Sequence, residues 1–322
     1  MENSSFFHLD PNTVLKMAEE VGFLPTGELY QLNSYENRVF DIRMENRSSC
    51  IAKFYRPGRW SREAILEEHE FLFDLQVEGI SVVAPMKFHG TSLLKCEDMW
   101  VAFFPKMRGR MPDELLADDF VQVGRLLARL HNVGSQKPSR HRPTFDSSYY
   151  GGWKTLQDLQ SWIAPEVRSR YNHAAETILN EMDGVVDPQE FIRVHGDCHR
   201  GNLLHTGRTE ELPNGEYFLI DFDDFGLGPT IQDFWMLISG DQSEAQDQLT
   251  YLADGYEELR EFPYHQIDWI PLYRGLRIIS YAGWIAKRWQ DPSFPRLFPE
   301  FGTYSYWADE TEALEKIIHS WT

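Results

Sequence analysis

An α+β chain in two lobes, a small β-rich one followed by a larger and mostly helical one, is expected from three features of the 322-residue sequence. Residues 1–105 carry short apolar runs separated by turn residues, with one helical stretch inserted among them. From residue 106 to 322 the apolar residues recur at helical spacing instead. Within that second part lies the octapeptide HGDCHRGN (195–202), followed by the apolar run YFLI and the acidic cluster DFDD (221–224). The domain division read from this change of character is 1–105 and 106–322, with a connector near 104–112.

The elements follow in order. Residues 10–22 read as a helix, with Asp10 as N-cap, Pro11 in the first turn and Gly22 as the stop. GELYQLN, RVFDIRM and CIAKFYR alternate enough to be strands, and ENRSS is the turn between the last two. Residues 61–79 place Ile65, Leu66, Phe71, Leu72 and Leu75 near helical spacing behind Ser61, a cap candidate. APMKFHG, SLLKCED and MWVAFFPKM read as three further strands. Residues 118–134 form a clear amphipathic helix, residues 151–183 two more, and residues 243–322 are dominated by helices rich in Trp, Tyr and Leu. HTGRTEELPNGE, with its Asn-Gly pair, reads as a hairpin leading back to YFLI.

Composition narrows the function classes. With 42% apolar residues and 10 Trp, 14 Tyr and 21 Phe, the chain has ample material for a core. Lys plus Arg number 31 against 50 Asp plus Glu, a net charge of −19. So acidic a chain is a poor partner for nucleic acid or an anionic membrane. Cys50, Cys96 and Cys198 lie far apart with no CxxC, which points to a reducing compartment. No signal peptide is readable and no window approaches the roughly 20 apolar residues of a membrane span. A soluble, cytoplasmic monomer is expected.

His195, Asp197, Asn202 and Asp221 match in order, and Asp197 and Asn202 in spacing, the catalytic loop and metal-binding aspartate of protein kinases. Asp197 is the candidate catalytic base, able to orient an acceptor hydroxyl and take its proton. Asn202 and Asp221 are candidate ligands for Mg2+, which prefers oxygen donors and few protein carboxylates. Asp223 and Asp224 extend the acidic cluster, either as further contacts to the metal site or as exposed carboxylates beside it. His195 is read as a structural residue under the loop, and Cys198 as a small buried one rather than a nucleophile. Lys53, in CIAKFY, occupies the strand position of a phosphate-contacting lysine. Its flanking apolar residues argue against a solvated edge, since an unpaired buried ammonium is costly. Glu67, Glu68 and Glu70 are candidate partners on the helix at 61–77, and Glu68 is chosen. No GxGxxG is present; LNSYENRVF (32–40) offers Ser34 and its neighbouring amides as phosphate donors, the alternative being an ordinary polar turn. Adenine is expected against backbone groups near Phe103–Lys106, and Asp233 is expected to brace the catalytic-loop backbone.

On these residues the chain resembles the aminoglycoside- and choline-kinase-like phosphotransferases, and within them the bacterial stress response kinase A family of serine/threonine protein kinases. The resemblance spans nearly the whole chain and rests on LNSYENRVF, KFYRPGRW (53–60), ILEEH (65–69), HGDCHRGN, DFDD, GPTIQDFW (228–235) and RWQDPSFP (288–295). It implies a bilobal protein-kinase-like fold, ATP and Mg2+, Asp197 as proton acceptor, Asn202 and Asp221 as metal ligands, Ser34 at the nucleotide, protein serine or threonine as acceptor, and a role in stress survival. A longer hairpin at 205–217 departs from the family pattern. The HRD arginine and an APE segment are both missing, so no activation-loop switch is expected. Two other readings remain: a small-molecule kinase for aminoglycosides, choline or another amino alcohol, which the acidity would suit, and a pseudokinase, against which the intact Lys53, Asp197, Asn202 and Asp221 count.

Overall fold

The computed structural model describes residue 6 and residues 9–149, 152–207, 210 and 214–320. The chain divides into two compact units: Met1–Arg142 with Cys198–Asp224 and Thr250–Arg260, and Pro143–Asp197 with Phe225–Leu249 and Glu261–Thr322. Each unit gathers separate stretches of the chain. The first unit retains the helix that follows the sheet and includes the hairpin after the HGDCHRGN segment.

The first unit starts with α1 (Pro11–Glu20), whose Val14, Met17 and Ala18 are buried. Asp10 holds the N-cap position, but its side chain makes no capping bond to the backbone. A five-stranded antiparallel sheet follows, built from β1 (Pro25–Leu32), β2 (Arg38–Met44), β3 (Ser49–Tyr55), β4 (Leu94–Cys96) and β5 (Met99–Pro105) in the order β1-β2-β3-β5-β4. Successive strand residues point to opposite faces. Cys50, Ala52 and Phe54 of β3 therefore join a core with Phe40, Ile42, Val101, Phe103 and the buried face of α1. Tyr55 of the alternate set packs with Ala102 and with Ile65 of α2 (Arg62–Val77). Lys53 belongs to that same set, so strand alternation alone aims it at the α2 side. α2 begins as the sequence predicts, with the Ser61 hydroxyl accepting from the Ala64 N–H.

The first of the three expected later strands is not formed. Residues 84–90 make one bond to β5, from the Met86 N–H to the Phe103 carbonyl, and one isolated bridge, Phe88 to Thr91. Pro85 has no N–H to give a ladder, and His89 and Gly90 adopt left-handed conformations (φ 50° and 85°) that turn the chain at once. The unit is completed by α3 (Ala117–Gly134), the hairpin of β7 (Leu203–His205) and β8 (Tyr217–Leu219), and the end of a helix at Gln242–Glu257. A Cβ at Gly124 of α3 would stand 2.1 Å from the Leu252 carbonyl oxygen, so glycine alone allows these two helices to approach so closely.

The second unit is mostly helical. It contains α4 (Gly152–Asp158), α5 (Arg168–Val185), the two-stranded pair of β6 (Ile192–Val194) and β9 (Gly226–Gly228), the start of α6 (Gln242–Glu257), α7 (Ile270–Lys287) and α8 (Tyr304–His319). The expected helix start at 151 lies outside the described residues. Trp307 of α8 and Tyr171 of α5 are both fully buried and meet edge to face, 5.4 Å between ring centroids. All three cysteines are buried and none is in a disulfide. Among the described residues, no helix is long and apolar enough to cross a membrane.

Candidate active site

In the first unit, Lys53 is 8% exposed and sits among carboxylates. Its Nζ lies 2.9 Å from Asp223 Oδ1, 3.4 Å from Asp221 Oδ1 and 3.6 Å from Glu68 Oε1. Of the three glutamates considered on α2, Glu68 is the one that reaches it. Glu67 instead accepts from the Arg140 and His141 N–H groups, and Glu70 pairs with Lys137.

Arginines close the cluster. Arg59 bridges Asp223 at 3.1 Å, Asp224 at 2.6 Å and Glu36 at 2.9 Å. Arg142 reaches within 3.9 Å of Glu68 and donates to the Asp223 carbonyl. Burial pulls the Lys53 ammonium toward neutrality, but Asp223 and Glu68 outweigh it and hold its pKa well above the usual value. Burial would raise the Asp223 carboxyl, yet Arg59 and Lys53 hold it well below the usual range. Glu68 goes the other way: burial and the neighbouring Asp223 charge raise it against the pull of Lys53 and Arg142. Asp223 is thus the hub of a buried ion network. Of the two readings open for this residue, an exposed carboxylate does not apply, because Asp223 is 4% exposed.

Asn202 and Asp221 are brought together by the backbone. The Ile220 N–H donates to the Asn202 carbonyl at 3.0 Å, so the segment that leads from β8 to Asp221 runs beside the turn carrying Asn202. Asp221 is left-handed (φ 59°), a conformation that Asp tolerates better than most residues. Its side chain is 55% exposed. An amide oxygen and a carboxylate form a hard oxygen pair that fits Mg2+, which keeps waters and phosphate oxygens in its remaining positions. Among the described residues no group of three His, Cys, Asp or Glu side chains is arranged for a metal.

Ser34 lies in the turn between β1 and β2, where its hydroxyl accepts from the Asn37 N–H at 3.2 Å. Arg56 pins that turn by donating to the Tyr35 and Glu36 carbonyls, while its own N–H donates to Asn37 Oδ1. Ser34 is joined to the Lys53 cluster through Arg56, Glu36 and Arg59 rather than directly. The connector after β5 borders a cavity of about 1090 Å³ whose lining includes Lys106, Met107 and Arg110.

The second unit holds the start of the HGDCHRGN segment. Asp233 Oδ2 accepts from the His195 N–H at 2.7 Å and Oδ1 from the Gly196 N–H at 2.8 Å. Gln232 donates to the Gly196 carbonyl at 2.8 Å. Gly196 takes φ 85°, which favours glycine. His195 is fully buried, and its Nδ1 accepts from the Asp197 N–H at 3.3 Å, a structural role. Asp197 emerges from this rigid base with its side chain 23% exposed and its Oδ1 2.9 Å from Nη1 of Arg277 on α7. Sequence reasoning missed Arg59, Arg142 and Arg277. KFYRPGRW contains Arg59, but nothing local marks the other two, whose partners lie 81 and 80 residues away.

The model of the phosphotransferase enzyme family matches residues 29–268, which include Ser34, Lys53, Glu68, Asp197, Asn202 and Asp221. The chain belongs to this phosphotransferase enzyme family. The phosphotransferase is 35% identical over 320 residues to the serine/threonine protein kinase RdoA of Salmonella typhimurium, covering 98% of this chain and 95% of that protein. It is also 35% identical over 315 residues to the stress response kinase A of Escherichia coli K12, covering 97% and 94% of the two chains. Among solved structures, amicoumacin kinase hAmiN in complex with AMP-PNP, Ca2+ and Ami superposes on the phosphotransferase with a TM-score of 0.75 at 20% identity, all of both chains being covered. That likeness shows the kinase-like fold.

Proposed function

We propose that this phosphotransferase is an ATP- and magnesium-dependent serine/threonine protein kinase of stress response. The observation that carries this reading is the buried Lys53, held by Glu68 and Asp223 in the first unit. A charged lysine kept in place by buried carboxylates is what contact with nucleotide phosphates requires. The protein acceptor is supported by the near full-length relation to a serine/threonine protein kinase.

The chemistry is direct transfer. A bond forms between the acceptor hydroxyl oxygen and the γ-phosphorus as the bond to the β,γ-bridging oxygen breaks, and ADP leaves with that oxygen. Asp197 orients the hydroxyl and takes its proton. Lys53 donates to the ATP phosphates, and Ser34 with the amides of its turn adds donors to them. Asn202 and Asp221 would hold Mg2+, which when bound would supply positive charge against that developing on the phosphoryl oxygens. Backbone groups near Phe103–Lys106 meet the adenine. No covalent phosphoenzyme is needed.

The test is transfer of radiolabelled γ-phosphate with Mg2+ to protein acceptors and, separately, to amino alcohols and aminoglycosides. Asp197→Ala should lower turnover about 10²–10⁴-fold while ATP binding by titration calorimetry survives. Label on protein that disappears in Asp197→Ala is the expected result. Label on small molecules alone would overturn the acceptor class, and near-normal turnover of the variant would remove Asp197 from the reaction.

A further inference from the structure

Resting on the reading of Asp197 as the base, a second feature of the same unit bears on what the acceptor looks like. α7 carries Arg274, Arg277 and Lys287 and not one Asp or Glu. That is notable in a chain with 50 acidic and 31 basic residues. Arg277 is 44% exposed on its side chain and reaches Asp197. Arg274 lies three residues earlier, which places it on the same helix face, and among the described residues it makes no ion pair or hydrogen bond. One turn beyond Arg277, Tyr281 is exposed and stacked on Trp284, with 5.4 Å between centroids. The proposed base is therefore paired with a guanidinium, with a second guanidinium and an exposed aromatic ring on the same helix.

This arrangement is wrong for an ammonium-bearing acceptor. An amino alcohol or aminoglycoside binding its hydroxyl to Asp197 would bring its cation against Arg277 with no carboxylate on α7 to receive it. It is right for an acceptor that carries negative charge beside its hydroxyl. A guanidinium binds a carboxylate through two parallel N–H donors, and such charge-assisted bonds are strong. We propose that Arg277 selects the acceptor: it pairs with Asp197 in the free enzyme and turns to a carboxylate flanking the acceptor serine or threonine when a peptide binds, so that the preferred substrates are acidic segments of proteins. Exchange of one carboxylate for another keeps the guanidinium paired throughout and frees Asp197 for the hydroxyl only when an acidic acceptor is present. Repulsion of cations supplies the other half of the selection.

The experiment uses the full chain with Mg2+ and labelled ATP. The acceptors are a serine peptide flanked by Asp and Glu, the same peptide flanked by Lys and Arg, and 1-amino-2-propanol. The enzymes are wild type, Arg277→Gln, Arg277→Lys, Arg277→Glu and Asp197→Ala, each checked for an unchanged melting temperature. Wild type should favour the acidic peptide by about tenfold or more in kcat/KM, a charge-assisted contact's worth of discrimination. Arg277→Gln should lose that preference through KM, Arg277→Lys should keep only part of it because the charge remains without the two parallel donors, and Arg277→Glu should reverse it. Label transfer that depends on Asp197 but shows the same acidic-to-basic ratio in wild type and Arg277→Glu overturns the inference and leaves the kinase reading standing. An equal fall on all acceptors with a lowered melting temperature also overturns it, because the role would then be structural. No transfer by wild type, or transfer that survives in Asp197→Ala, overturns the kinase reading and the inference together.

Discussion

Lys53, Glu68 and Asp223 form one buried network, yet they are not equally exposed to substitution. Asp223 faces both Lys53 and Arg59, so Asp223→Asn leaves two buried cations short of charge. Breaking a buried pair from one side costs about 3–5 kcal/mol. Glu68 already resists ionisation because of burial and the Asp223 charge, so Glu68→Gln should cost about 1 kcal/mol or less, since the amide retains an acceptor and removes a repulsion. Urea midpoints of the two variants at unchanged m-value distinguish these outcomes, and equal losses would contradict the assignment of Asp223 as hub. His69 gives a pH signature. Its ring is buried between the Tyr55 hydroxyl at 3.0 Å and the Ser92 hydroxyl at 2.8 Å. Burial, then Lys53 and Arg142, push its pKa from 6.5 down to about 3. The folded state therefore binds fewer protons than the unfolded state between those values. The stability of the neutral ring is complete above pH 6.5 and declines as pH falls below it, by about 2 kcal/mol at pH 5. His69→Gln should flatten the denaturation midpoint between pH 5 and 7, and an unchanged slope would refute this account.

At the scale of elements, the short peptide 195–197 owes its shape to Asp233. Asp233→Ala strands the His195 and Gly196 N–H groups, at about 1–3 kcal/mol for each orphaned donor. It should also lower kcat, because Asp197 follows directly. Asp233→Asn retains one acceptor oxygen and should recover part of both losses in denaturation and turnover assays. This brace was legible in GPTIQDFW, as were the strands carrying Lys53 and the cap on α2, because those signals are local: alternation, a capping serine, a fixed motif order. What was not legible is what long-range packing decides. The stretch 84–90 has strand-like composition, but Pro85 and the turn at His89–Gly90 deny it a ladder. Asp223 carries the same letter as Asp224 beside it, and only the arrival of Arg59 and Lys53 makes it the hub. Arg142 and Arg277 had no local pattern to reveal them.

At the scale of the molecule, the acidic balance of the sequence suggested cationic substrates, whereas the cations found on α7 point the other way. Net charge describes solubility and average field, and a site is governed by the few charges within its own reach. The same distinction between the average surface and the local environment applies to the thiols. Cys50, Cys96 and Cys198 are at most 4% exposed, and burial foremost pushes the Cys50 thiol up to about 12 and the Cys96 thiol to about 11. Thiolates, not thiols, attack the disulfide of a probe such as Ellman's reagent. The native enzyme should therefore consume almost no Ellman's reagent at neutral pH and the denatured chain three equivalents, one for each cysteine in the sequence. A single cysteine installed at an exposed position such as Val77 could then carry a fluorophore or spin label without removing any native residue, making the wild-type chain itself a ready background for spectroscopy.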